Sequence, residues 1–473
     1  MAVALVVAAC SADTLDDATD ETAPATTEPT GATLDDAAPP AISDSSSTSD
    51  VAAESAPDDD RGADYLFDPN LLHTFEFALT DDDLRFLDDD PTAEEYVPAT
   101  MTFEGDSYEV GLRYKGSVGA FFGCTDGPNP FQPSGAKTCQ KLSMKVKINW
   151  NDSKDEFLGV RKLQLHAMNL DPSQMRERVG YHLLREMGVA APRSTHARVV
   201  INGEFVGLFA LVENIDGRFT RANFDDGTGN LYKEAWPFTA DGAITDTTTF
   251  LQSLRTNEDD ETSPQLIQRF ARDLLDADDP AEVVRAYMDV DALMAQLAVD
   301  RTIRHDDGPF HWYCDGLISD QCGPHNFFFY EDPTNATITM IPWDLDNAFA
   351  NIITEANPVI PIPDGLGDIT ADCEAFSYGP LGIAQRSASC DPLFAAWASM
   401  EPEYLAAIER LHDGPLRDAE LDPLIDRWTE QIGEPTAQAA ETHEDALRPE
   451  AWGRALDELR AQLEHARANP IGG

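Results

Sequence analysis

The segment TITMIPWDLD, Thr337–Asp346, runs from an apolar strand straight into two aspartates two residues apart. Thr337–Ile341 has the β-branched, apolar make-up of a buried strand, and Phe327–Tyr330 just before it is another. If the strand continues through Pro342-Trp343-Asp344-Leu345-Asp346, the carboxylates of Asp344 and Asp346 point the same way. Two convergent carboxylates at a strand end are hard oxygen ligands that leave room for water and phosphate, which suits Mg²⁺. A solvated turn after an edge strand is the plainer reading of the same residues.

Upstream, Val290–Ile303 carries apolar residues at helical spacing and ends in the loop Arg304-His305-Asp306-Asp307-Gly308. Asn326 opens the Phe327–Tyr330 strand. An Asp after a helix, an Asn opening a strand and an Asp closing the hairpin match the layout of phosphoryl transfer. There one Asp orients the attacking hydroxyl, while the Asn and the second Asp hold metal. Alone, Asp306-Asp307-Gly308 reads as an ordinary turn, with His305 and His311 as surface residues.

Either side of this centre the chain changes character. From Tyr65 to about Glu234 it is mainly strands: Phe75–Leu79, a Thr100–Tyr114 hairpin turning at Gly105-Asp106, Leu142–Trp150, Lys162–His166, and Ala197–Ile201 joined to Phe205–Glu213 by Asn202-Gly203. One helix interrupts them, with Asp171 as N-cap, Pro172 at its first position and Gly188 at its end. From about Asp246 the pattern is helical: Leu266–Leu275, Ala281–Met288, Leu393–Leu411, Asp418–Ile432 and a long last helix over Thr436–Ala468. A β-rich half, a helical half and a carboxylate-ending hairpin predict a two-lobed α+β enzyme. Lys145 and Lys147 share one face of their strand. With Arg113, Lys115 and the turn Gly116-Ser117-Val118-Gly119, they could neutralise nucleotide phosphates, and Glu177, next to Arg176, could hold such a lysine by an ion pair.

The 473 residues carry 86 acids against 33 Lys and Arg, a net charge of −53. Such a surface repels phosphate backbones, which excludes nucleic acid as a partner. Residues 11–64 hold fifteen acids and one base among Ala, Thr, Pro and Ser, the composition of a disordered spacer. Ahead of it, MAVALVVAAC (Met1–Cys10) reads as the end of a lipoprotein signal with Cys10 as the lipidated residue, the only membrane attachment expected. The other six cysteines fall as three local pairs in loops, which predicts nearest-neighbour disulfides after export. They lack the spacing of a zinc site.

Taken in order, several segments resemble the spore coat protein H (CotH) kinase-like family: Arg113–Ser117, Lys141–Ile148, Leu163–Gly188, Val200–Asp216, Asn230–Lys233, and Asp307-Gly308 through His325-Asn326 to Pro342–Asp346. The resemblance implies a two-lobed atypical protein-kinase-like fold over 65–473, with a β-rich N-lobe (about 65–215) and a mainly helical C-lobe (about 216–473). It further implies ATP and Mg²⁺ or Mn²⁺ as cofactors, and Ser/Thr hydroxyls of an envelope or surface protein, basic in character, as acceptors. Asp307 would be the catalytic Asp, with Asp306 and Asp315-Gly316 as rival placements because Tyr313–Gly323 is an insertion. Asp344 would hold metal, assisted by Asp346 and Asn326. Lys145 or Lys147 would contact phosphate, with Arg113 and Lys115 as weaker candidates, and Val212-Glu213-Asn214 would link the lobes beside the adenine. An inactive binding scaffold, or another metal-dependent phosphoryl or nucleotidyl transferase, would use the same scaffold.

Overall fold

Alternating apolar residues along the first half close a seven-stranded barrel. Its strands are β1 (His73–Ala78), β2 (Val97–Phe103), β3 (Asp106–Tyr114), β4 (Met144–Lys147), β5 (Lys162–His166), β6 (Ser194–Ile201) and β7 (Glu204–Val212). Their order is β1-β2-β3-β4-β5-β7-β6, and parallel pairing of β6 with β1 shuts the ring. Phe75, Met101, Leu112, Met144, Val146 and Leu165 fill the interior, so Lys145 faces outward beside its cross-strand neighbours Arg113 and Gln164. Asn202 and Gly203 both take positive φ (50° and 83°) in the β6–β7 turn, which its two-residue length requires. This computed structural model describes residues 61–130, 132–152, 154–258, 262–314, 322–353, 365–378 and 382–470. The leader with Cys10, the spacer up to residue 60 and Asp315-Gly316 lie outside the described residues.

Three short helices accompany the barrel: α1 (Gly62–Leu66), whose Leu66 enters the barrel core, α2 (Asp81–Asp89) and α3 (Val118–Phe121). The next helix, α4 (Arg176–Glu186), begins later than expected. The Asp171 carboxylate does accept backbone N–H groups, but from Ser173 and Arg176 (both 2.9 Å), around Gln174 held at φ 60°. That turn consumes the predicted first helical residues. Although α4 lies between barrel strands in sequence, its Val179, Leu183 and Leu184 pack into the core of the helical lobe.

The helical lobe comprises α5 (Gly217–Asn223), α6 (Thr247–Gln252), α7 (Gln265–Asp276), α8 (Pro280–Tyr287), α9 (Val290–Ile303), α10 (Pro392–Ala398), α11 (Glu401–Asp413), α12 (Asp418–Thr442) and α13 (Pro449–Ala468). Two boundaries differ from the sequence reading. Leu393–Leu411 is two helices, because α11 restarts at Glu401 with Pro402 in its first turn, where a missing N–H costs nothing. Conversely α12 runs through Pro435, and the break falls between Thr442 and Pro449. Within the lobe, β8 (Leu231–Lys233) joins the predicted hairpin, now β11 (Phe327–Asp332) and β12 (Thr337–Pro342), in a sheet ordered β12-β11-β8. A second sheet, β10-β9-β14-β13, is built from β9 (Tyr313–Cys314), β10 (Cys322–Gly323), β13 (Phe376–Tyr378) and β14 (Ile383–Gln385). The cysteines pair as nearest neighbours: Cys124–Cys139, Cys314–Cys322 and Cys373–Cys390. Among the described residues no helix is long and apolar enough to cross a membrane.

One glycine ties this packing to the site. A Cβ on Gly180 of α4 would lie 2.9 Å from Leu345 Cδ1 and 3.4 Å from Ile303 Cδ1. Leu345 sits between the two aspartates of the hairpin end, so the helix must approach closely there. Gly180→Val is expected to lower unfolding stability by about 1–3 kcal/mol through overpacking, read as a reduced midpoint in urea.

Candidate active site

The strand expected to carry both aspartates ends at Pro342, which corrects the sequence reading. Asp344 turns into the left-handed region (φ 52°, ψ 70°), and Leu345–Asn347 form a single 3₁₀ turn. The bend is held at both ends of the Asp344 peptide unit. Its N–H donates to the Tyr181 hydroxyl (3.0 Å), and its carbonyl accepts from His305 Nε2 (2.9 Å). His305 Nδ1 lies 3.2 Å from Asp300 Oδ2. Burial alone would pull the His305 pKa down. The Asp300 carboxylate and the Asp344 carbonyl outweigh it and hold the pKa above its ordinary value. His305 and His311 are buried, so the surface reading of them is corrected too.

Asp307, Asn326, Asp344 and Asp346 line one cleft between the lobes, together with Glu177, Lys115 and the Gly116-Ser117 turn. Asn326 Nδ2 donates to the Asp307 carbonyl (2.9 Å), locking the loop after α9 to the start of β11. The Tyr313 hydroxyl donates to Asp307 Oδ1. Burial pushes the Asp307 carboxyl up to about 7; Tyr313 and His305 oppose the rise, and Asp344 and Glu234 add to it. Of the two rivals for the catalytic position that the structure describes, Asp307 lines the cleft and Asp306 does not. Asp306 is buried, and its carbonyl accepts from His311 Nδ1 (2.5 Å).

The basic candidates separate. Lys115 reaches the cleft, with Nζ 3.0 Å from His166 Nε2, and His166 Nδ1 lies 2.9 Å from both carboxylate oxygens of Glu177. Lys145, Lys147, Arg113 and Glu213 are not among the cleft's lining residues. Arg113 pairs with Glu94 (2.5 Å), and Glu213 grips Arg193 (2.7 Å), pinning the segment that leaves β7. Arg176 donates to the Asp346 carbonyl (2.9 Å). The sequence reading gave no role to His166, Lys233, Glu234 or Trp343, all of which line the cleft. The signal for Glu234 was its place after a motif segment; it accepts the Asn326 N–H (2.9 Å).

The family profile described as CotH kinase protein matches residues 112–467, well over half of the chain. The chain belongs to the CotH kinase family. Its α+β body, with a β-rich N-lobe and a mainly helical C-lobe, has the fold class expected from the sequence. It is 31% identical over 103 residues to the inner spore coat protein H-like protein of Bacillus subtilis, covering 22% of this chain and 32% of that one. It is 23% identical over 287 residues to the inner spore coat protein H of the same organism, covering 58% and 68%. The chain thus spans about a third of the first relative's length and about two thirds of the second's. The crystal structure of the Helicobacter pylori proinflammatory kinase CtkA aligns over 74% of this chain and 96% of that one, at 11% identity and a TM-score of 0.26.

The donor set of this CotH family cleft fits a divalent cation. Burial drives the Asp346 pKa well above its ordinary value, and the charges of Asp344, Glu177 and Asp307 add to the rise. Crowding buried Glu177 and Asp307 against half-buried Asp344 and Asp346 is costly unless a cation joins them. Among the described residues, His166, Glu177 and Asp344 also offer ligand atoms within 4.8 Å of one another.

Proposed function

We propose that the protein is an exported, atypical CotH-type kinase that transfers the γ-phosphate of ATP to Ser or Thr hydroxyls of an envelope or surface protein. The observation that carries this reading is the convergence of Asp307, Asn326, Asp344 and Asp346 in one cleft with Lys115 and a glycine turn. Membership of a family described as a kinase supports the same reaction class. Asp307 accepts a hydrogen bond from the acceptor hydroxyl and aligns its oxygen for in-line attack. Lys115 and the Gly116-Ser117 turn orient the phosphates. Asp344 and Asp346, with Asn326, would hold Mg²⁺ or Mn²⁺, which when bound neutralises charge on the phosphates. Three disulfides, and relatives named for a spore coat, support export, with Cys10 as the proposed lipid anchor. The net charge of −53 favours basic acceptor segments by electrostatic steering.

The test is the thermal stability of the full chain with ATP, with Mg²⁺ or Mn²⁺, and with both, followed by product analysis with labelled ATP. A ligand bound only by the folded state adds about 2.7 kcal/mol at a hundredfold excess over Kd, so a clear rise is expected when both are present. Labelled phosphoserine or phosphothreonine completes the case. No shift at millimolar nucleotide would leave a binding scaffold, and AMP-modified protein would make the chain a nucleotidyl transferase.

A further inference from the structure

Lys115 and Glu177 are linked through an imidazole, that of His166. Lys115 lies just past the end of β3, His166 at the end of β5, and Glu177 in the first turn of α4, and all three side chains are buried. An ammonium group can only donate, so the contact at 3.0 Å requires His166 Nε2 to accept. The ring proton must then sit on Nδ1, where it donates to the Glu177 carboxylate at 2.9 Å. A ring protonated on both nitrogens would set an N–H against the ammonium. The neutral Nδ1–H tautomer is therefore written into the geometry.

Trp343 braces this chain. Its ring meets the imidazole edge-on (5.7 Å, 88°), and the Lys115 ammonium lies 5.4 Å from its centroid. Trp343 immediately precedes Asp344, so the relay and the carboxylate segment are packed as one unit.

We infer that His166 is a positioning residue that carries the hold of Glu177 on Lys115, setting the lysine for the phosphates of a nucleotide. The inference rests on the kinase reading for its ligand but not for its geometry. Through the imidazole, Glu177 sets the direction in which Lys115 enters the cleft. The same Nε2 cannot accept from Lys115 and ligate a cation at once, so the relay and a His166-Glu177-Asp344 metal site exclude each other.

Two measurements test this. ¹⁵N NMR of the full chain, with the His166 signals assigned by comparison with His166→Gln, reads the tautomer without any nucleotide. The Nδ1–H form is expected. The Nε2–H form would overturn the relay, as would direct ligation of the ring by stoichiometric Zn²⁺ that is lost in Asp344→Asn. The second is ATP affinity from metal-dependent thermal shifts in a double-mutant cycle. His166→Leu should weaken ATP binding about tenfold, and His166→Gln, which keeps one acceptor and one donor, should recover most of it. Combining His166→Leu with Lys115→Ala should cost no more than Lys115→Ala alone, since both remove one function. Additive losses, or full affinity in His166→Leu, would sink the inference. Absence of ATP binding by the wild type would instead count against the kinase reading, leaving the tautomer measurement to judge the relay.

Discussion

Asp307→Asn is expected to reduce phosphoryl transfer by about 10²–10⁴-fold while leaving the metal-dependent stabilisation by ATP in place. The side chain is buried, lines the cleft and is gripped by Tyr313, yet the backbone contact from Asn326 reaches its carbonyl and survives the substitution. Asn keeps the shape and loses the anionic acceptor. Burial raises the wild-type carboxyl to about 7, which places a general base near neutrality. The carboxylate is the competent form, so the transfer rate should rise with pH and level off above about 7. A rate flat from pH 5.5 to 8 would remove Asp307 from this role. Stability should move the other way. The folded pKa lies above the ordinary 3.8, so the favourable contribution of the protonated group is complete below about 4 and lost as pH climbs through about 7. Asp307→Asn never ionises and should therefore gain on the wild type in thermal stability across that window.

What the sequence made legible was local. The Asn202-Gly203 hairpin, the span of α9 and the order of Asp307, Asn326 and Asp344 follow from turn chemistry and apolar spacing within a few residues. The barrel closes through a parallel β1–β6 pair far apart in sequence, which no local pattern announces. The same limit explains the lysines. Alternation placed Lys145 and Lys147 on one face, but only the closed ring shows that this is the barrel's outer face and that Lys115, past the end of β3, is the one in the cleft. His305 was misread because sequence spacing carries no information on burial. Its partners, Asp300 five residues back and the Asp344 carbonyl, meet only when α9 and the hairpin end pack together. Asp344 and Asp346 converge on the cleft for a different reason from the one expected. A left-handed bend delivers them, and Asp is among the few residues that tolerate it.

That bend makes Asp344→Asn the sharpest probe of the proposed site, because Asn adopts positive φ as readily as Asp and changes only the charge. The peptide clamps from Tyr181 and His305 act on the backbone and remain, so the fold should be unaffected. Removing one anion from the group that raises Asp346 should leave the ligand-free protein as stable as the wild type or slightly more so. Nucleotide binding should suffer instead. The rise in melting temperature that ATP and Mg²⁺ or Mn²⁺ give together is expected to vanish, and transfer to fall on the order of 10³-fold, the scale of losing one preorganised charge contact. The control is Asp306→Asn, whose carboxylate lies outside the cleft lining. It should retain the metal-dependent shift. If Asp344→Asn keeps that shift and Asp306→Asn loses it, the metal-holding carboxylate has been assigned to the wrong aspartate. If both keep it, the hairpin end does not hold the cation at all.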